Sequence, residues 1–153
     1  MSIIKVLNRA ILLEQKFCEC YDLMSQMASE SYLAKDLKKL SEEETYHANL
    51  IRSGNKILTI SPDLVQEMKI SYLEIDTGIT KLNDLSESLK NNTINLKDAI
   101  KRIYDLEMVF EKVHMDKVAE FDDPALKDLF RALSNGDNKH RKRLEQIMNS
   151  YRG

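Results

Sequence analysis

Glu44 and His47 lie one helical turn apart within the stretch EEETYH at 42–47. The apolar stripe that leads to them reads Leu33, Leu37, Leu40, and it resumes at Ile51. Three- and four-residue steps keep side chains on one face, so both polar groups point where the pattern demands leucine. A carboxylate and an imidazole turned into a core need something there to offset their desolvation. Three more stripes are interrupted in the same way. Glu14 breaks Ile3, Leu7, Ala10, Phe17, Tyr21, Met24, and Glu107 breaks Leu96, Ile100, Ile103, Phe110, His114. Asp137 and His140 break Leu126, Phe130, Leu133, Leu144, Ile147.

These interruptions repeat. Glu14 precedes Glu44 by thirty residues, and Glu107 precedes Asp137 by thirty. A shift of ninety-three carries Glu14, Glu44 and His47 onto Glu107, Asp137 and His140, and Leu33, Leu40 and Ser41 onto Leu126, Leu133 and Ser134. The chain therefore reads as a duplicated helical hairpin. Glu14 and Glu44 each stand roughly 20 Å from the first turn at 1.5 Å per residue, which puts them at one height. The second pair behaves alike. Four carboxylates at one level of a core repel one another unless protonated or neutralised. Two divalent cations balance four such charges, with one histidine nitrogen for each. Mixed oxygen and nitrogen donors suit iron, manganese or zinc better than calcium or magnesium.

The elements that must position these groups are four long helices, at about 3–28, 31–53, 95–120 and 124–149. Gly54 is expected to stop the second, Asn95 to cap the third, and Asp123-Pro124 to open the fourth. Residues 55–93 read as a connector with some helix, at 63–75 and 79–89, broken by Gly78 and Asn91-Asn92, and with little site chemistry. The expectation is an all-α, antiparallel four-helix bundle in one domain, 1–153, made of hairpins at about 3–54 and 95–149. Four Gly and two Pro, with 42% apolar and 31% charged residues, suit such a compact helical chain. A net charge of −2 argues against a dedicated nucleic-acid binder or a membrane-surface protein. No apolar run is long enough for a transmembrane helix or a secretory signal, so the expected location is cytoplasmic. Cys18 and Cys20 point about 200° apart on a helix and cannot readily bridge. The sequence has no C-x-x-C pair for a rubredoxin-type iron site or a zinc ribbon.

The pattern Glu14, Glu44-Thr45-Tyr46-His47, Glu107, Asp137-Asn138-Lys139-His140 resembles the ferritin-like di-iron carboxylate family. It looks most like rubrerythrin-type proteins without their rubredoxin domain, although the two-histidine ligand set is closer to bacterioferritin. The resemblance covers the four long helices and leaves 55–93 outside. It implies two iron ions, with manganese or zinc as substitutes, held terminally by Glu14 with His47 and by Glu107 with His140. Glu44 and Asp137 would bridge, and Tyr21 matches a tyrosine the family often places near the site. It further implies an oxidoreductase reacting with peroxide or dioxygen, a separate electron donor, and a homo-oligomer of two or more copies. Iron storage without turnover, or a bundle with a degenerate site, are the alternatives.

Two departures bear on the match. Asp137 replaces the usual Glu, and it sits in SNGDN at 134–138, which alone reads as a turn with Asp137 as an N-cap. Its shorter reach leads us to expect Asp137 on one metal only. Cys18 and His114 read as core residues before ligands, Glu111 as a reserve carboxylate at most, and the basic residues around His140 in KHRKR as a solvated face.

Overall fold

A computed structural model describes residues 3–60, 72–118 and 123–151, the side chains of Ile3, Tyr72 and 111–118 excepted. Five α-helices account for almost all of them, and no strand occurs among the described residues. They are α1 (Ile3–Met27), α2 (Ser31–Ile60), α3 (Tyr72–Lys90), α4 (Leu96–Val118) and α5 (Pro124–Ser150). The helices α1 and α2 form one hairpin and α4 and α5 the other, joined face to face chiefly through α2 and α5. Helix α3 packs along α1 and also touches α4. The fold is the all-α bundle expected, with a fifth helix laid against it.

The stops and starts are chemical. Asp123, in extended conformation, caps α5 by accepting from the Leu126 amide at 2.9 Å, with Pro124 in the first turn. Asn95 caps α4 through the Asp98 amide at 2.8 Å. Between α3 and α4 the chain reverses at Asn92, whose φ of 56° places it in the left-handed region that asparagine tolerates better than most residues.

Two expected breaks do not occur. Gly54 lies inside α2, buried, where an added Cβ would stand 3.1 Å from Leu129 Cδ1. The glycine admits a close neighbour from α5, and its cost in helix propensity, about 1 kcal/mol, is overridden by packing. Gly78 likewise lies within a continuous α3. A Cβ there would sit 2.5 Å from Phe110 Cζ, so the position is reserved for the Phe110 ring. Of the two short helices expected in the connector, the first lies outside the described residues as far as 71. The second begins earlier than expected, at Tyr72, and ends at Lys90, where Asn91-Asn92 do break it. Its stripe Ile75, Ile79, Leu82, Leu85, Leu89 is buried against the bundle.

The core is divided. One apolar cluster fills the α1–α2 turn end, with Phe17, Met24, Leu37 and Leu40 against Leu82, Ile103 and Leu144, and continues along α3 through Ile79 and Ile75 to Leu13 and Val6. A smaller one gathers Leu7, Ile51, Leu58, Leu126, Phe130 and Leu133 at the other end. Fully burying each such side chain stabilises by about 1.5–3 kcal/mol. Between the clusters lies a polar layer. No helix among the described residues is long and apolar enough to cross a membrane.

Candidate metal centre

The polar layer consists of Glu14, Glu44, His47, Glu107, Asp137 and His140, none more than 3% exposed. All six residues singled out from the stripes therefore arrive in the core. The SNGDN stretch is helical throughout, so Asp137 is no N-cap and the turn reading fails. Its glycine has a specific task. A Cβ on Gly136 would lie 2.2 Å from His47 Nε2, so only glycine leaves room for that imidazole.

Glu44 stands between the two histidines. Its Oε1 is 2.7 Å from His140 Nδ1, and its Oε2 is 3.5 Å from His47 Nδ1. The imidazoles stack with centroids 4.9 Å apart. Around His47 Nδ1 are also Glu14 Oε2 and Asp137 Oδ1, each at 4.0 Å. Around His140 Nδ1 is Glu107 Oε1 at 3.5 Å. The donors thus sort into two groups sharing Glu44, with the Asp137 oxygen on the His47 side.

Both Glu44 oxygens, His47 Nδ1 and both His140 nitrogens are buried without a well-aligned hydrogen bond within the chain. They approach one another at ion-pair distance, yet no ring N–H points along the line of contact. Convergent lone pairs at such spacing are what a shared cation requires. Glu44, His47 and His140 each offer an atom within 4.8 Å of the others, close enough to hold an ion. The residues fit a carboxylate and histidine metal centre.

Two neighbours complete the layer. Tyr21, fully buried, donates its hydroxyl to Glu107 Oε1 at 2.9 Å. Burial, aided by the charges of Glu107 and Glu44, holds the phenol well above its ordinary pKa, so it stays a donor. Glu43, which the stripes did not single out, places Oε2 at 2.6 Å from His140 Nε2 and Oε1 at 2.8 Å from Arg143. A carboxylate behind a ligating histidine fixes the ring and raises its basicity. Glu43 falls outside the apolar stripe, so periodicity is blind to it. Arg143, one turn after His140, is the available clue, and it shows that the basic run is partly paired and not simply a solvated face. The ninety-three-residue shift carries Glu43 onto Gly136, so His47 lacks the counterpart of this carboxylate.

Cys18 is half-buried and contacts Ser41 and Thr45 hydroxyls, at 3.2 and 3.6 Å, so it is less of a core residue than expected. Cys20 is the buried thiol, donating to the Leu82 carbonyl, and neither cysteine is bridged. The side chains of Glu111 and His114 lie outside the described residues.

Electrostatics divides the layer. Burial, reinforced by Glu107 and opposed by His140, pushes the Glu44 carboxyl up to about 8. Burial disfavours the His140 imidazolium, but Glu44, Glu107 and Glu43 together outweigh it and raise the group far above its ordinary 6.5. Burial also opposes the Glu107 carboxylate, which His140, Glu44 and Tyr21 nonetheless hold below the usual range. A cation entering the layer must therefore displace protons from Glu44 and His140. Uptake should weaken as pH falls below about 8 and should release protons into weakly buffered solution. An affinity unchanged between about pH 6 and about pH 8 would contradict this. Glu44 also sets a stability trend, because its folded pKa lies above its unfolded one. Its contribution is complete below the ordinary 4.5 and is lost as pH rises through about 8, so the melting advantage of the loaded protein should widen over that window.

The fold is a helical bundle whose core carries carboxylates and histidines from both hairpins, a set of side chains able to hold metal. The family model described as Rubrerythrin matches residues 5–148, and the chain belongs to that family. Comparison with curated proteins and with solved structures gives no match.

Proposed function

We propose that this chain is a di-iron carboxylate oxidoreductase that reduces peroxide or dioxygen, working as a homo-oligomer with electrons delivered by a separate donor protein. The observation that carries the reading is Glu44, buried between two imidazoles with an oxygen toward each. Glu14 and His47 would hold one ion and Glu107 and His140 the other, with Glu44 available to both. Asp137 would join the ion at His47, its Oδ1 lying 4.0 Å from His47 Nδ1. Iron, when bound, supplies electrons to an O–O bond and Lewis acidity toward its oxygens. The residues around it do the positioning. Tyr21 donates a hydrogen bond to Glu107 Oε1 and so orients that carboxylate. Glu43 holds the His140 ring by its far nitrogen. The apolar clusters around the layer leave each of its six residues at most 3% exposed.

Anaerobic diferrous protein mixed with hydrogen peroxide should oxidise in one fast step, with two irons per chain and no mineral, followed by absorbance. Sustained uptake of many irons per subunit, or a large hollow assembly on a sizing column, would overturn this in favour of storage.

A further inference from the structure

Two clefts approach the buried donors from different sides of α2. One, of about 540 Å³, lies between α1 and α2, and Cys18, Glu19, Asp22, Thr45 and Glu44 contribute to its lining. The other, of about 400 Å³, lies between α2 and α5 and is lined by Glu43, Tyr46, His47, Gly136 and Lys139 among others.

We propose that the cleft between α1 and α2 is the path by which divalent cations reach Glu44 and are passed to the two halves of the centre. The proposal rests on the two-metal reading above. Glu44 is 1% exposed, yet it lines this cleft, and neither of its oxygens has a well-aligned hydrogen bond. Polar atoms lead toward it from the rim. Ser41 donates to Asp22 Oδ1 at 3.0 Å, and the Cys18 sulfur contacts the Ser41 and Thr45 hydroxyls. A cation shedding water needs such replacements along its way.

Glu19, Asp22 and Arg52 line the cleft beside Glu44, and Glu19 is held by Lys90 at 3.0 Å and Lys16 at 3.5 Å. Asp22, which accepts from Ser41, is the carboxylate at the head of these polar steps. Lys38 holds Asp22 at 2.7 Å, but its side chain is 55% exposed and can turn out into water at little cost. On the other side of α2, the Glu43 carboxylate is already engaged by His140 and Arg143, and Lys139 lines the opening. That cleft ends on the His47 ring seated against Gly136, with the Nδ1 atom facing inward to the carboxylates. An ion on Glu44, by contrast, is one exchange from either imidazole.

The experiment uses Co²⁺ as a coloured, redox-inert probe, mixed with metal-free full-length protein in a stopped-flow instrument. Benzyl methanethiosulfonate should modify Cys18 selectively, because Cys20 is fully buried and its thiol is pushed up to about 12 by that burial. The Cys18 adduct should slow loading by at least about tenfold, with the same final stoichiometry, and a reductant should restore the rate in the same sample. Asp22→Asn should slow loading by about threefold and flatten its dependence on salt, again without changing the end point. An adduct that loads at the parent rate would overturn the path, and so would slowing by Ala132→Trp in the other cleft without slowing by the adduct. A lowered end point with the adduct would also overturn it, since Cys18 would then support the site itself. Failure of the unmodified protein to take up any Co²⁺ is a separate result, and it would remove the two-metal reading together with the path.

Discussion

Glu44→Ala should strip both metal positions at once, with affinity at each falling by more than about a hundredfold, since changes behind a ligand alone cost 10–100-fold. The expectation follows from placement. Glu44 is the residue whose two oxygens face different imidazoles, at 2.7 and 3.5 Å, while the other carboxylates each face one. Glu14→Ala, in contrast, should weaken mainly the position shared with His47. Metal analysis after desalting distinguishes the two patterns. Tight retention of two ions by Glu44→Ala would show that it does not bridge. The metal-free variant should also lose the fall in stability that the parent shows from about pH 4.5 to about pH 8, because the carboxyl held up to about 8 is gone.

Gly136→Ala should lower metal affinity by far more than the gain in helix propensity can return. Alanine in a helix interior gains about 1 kcal/mol over glycine. The added Cβ, however, would stand 2.2 Å from His47 Nε2, and that ring is 2% exposed and stacked on His140. The imidazole must shift by more than the roughly 0.2 Å that metal coordination tolerates. Displacing the buried ring offsets the propensity gain, so the metal-free variant should melt at or below the parent, while the ion at His47 binds at least about tenfold more weakly. The ion at His140, on the other side of Glu44, should be affected less. Two equal binding steps in the variant would show the close approach to be of no consequence.

The bundle and its polar layer were legible because they rest on periodicity. Where Glu14, Glu44, Glu107 and Asp137 replace leucine in phase, burial follows from helix geometry, and the shift of ninety-three sets them at one height. Two kinds of feature were not legible. Gly54, Gly78 and Gly136 look like interruptions in one dimension, yet each lies in an unbroken helix with a side chain from a distant element standing over it: Leu129, Phe110 and His47. Propensity is a local quantity, and those partners are far away in sequence. Glu43 escaped for a related reason. It sits beside the stripe, where a charge run normally faces water, and only the approach of α5 converts it into a partner for His140 and Arg143.

The division of donors between the hairpins has a mechanical consequence. Glu14, Glu44 and His47 come from the first, and Glu107, Asp137 and His140 from the second, so the donors around Glu44 cannot be gathered by either alone. Ions coordinated across them act as cross-links in a chain whose two cysteines are free. The shortest span they close, from His47 to Glu107, is sixty residues. A disulfide over such a distance stabilises by roughly 4 kcal/mol through the lost freedom of the unfolded chain. Coordination bonds do the same while remaining reversible. A chain nicked in the loop at 91–95 should therefore hold its two pieces together to a higher denaturant concentration with metal than after chelation, the ions serving as removable staples between halves that share no covalent tie.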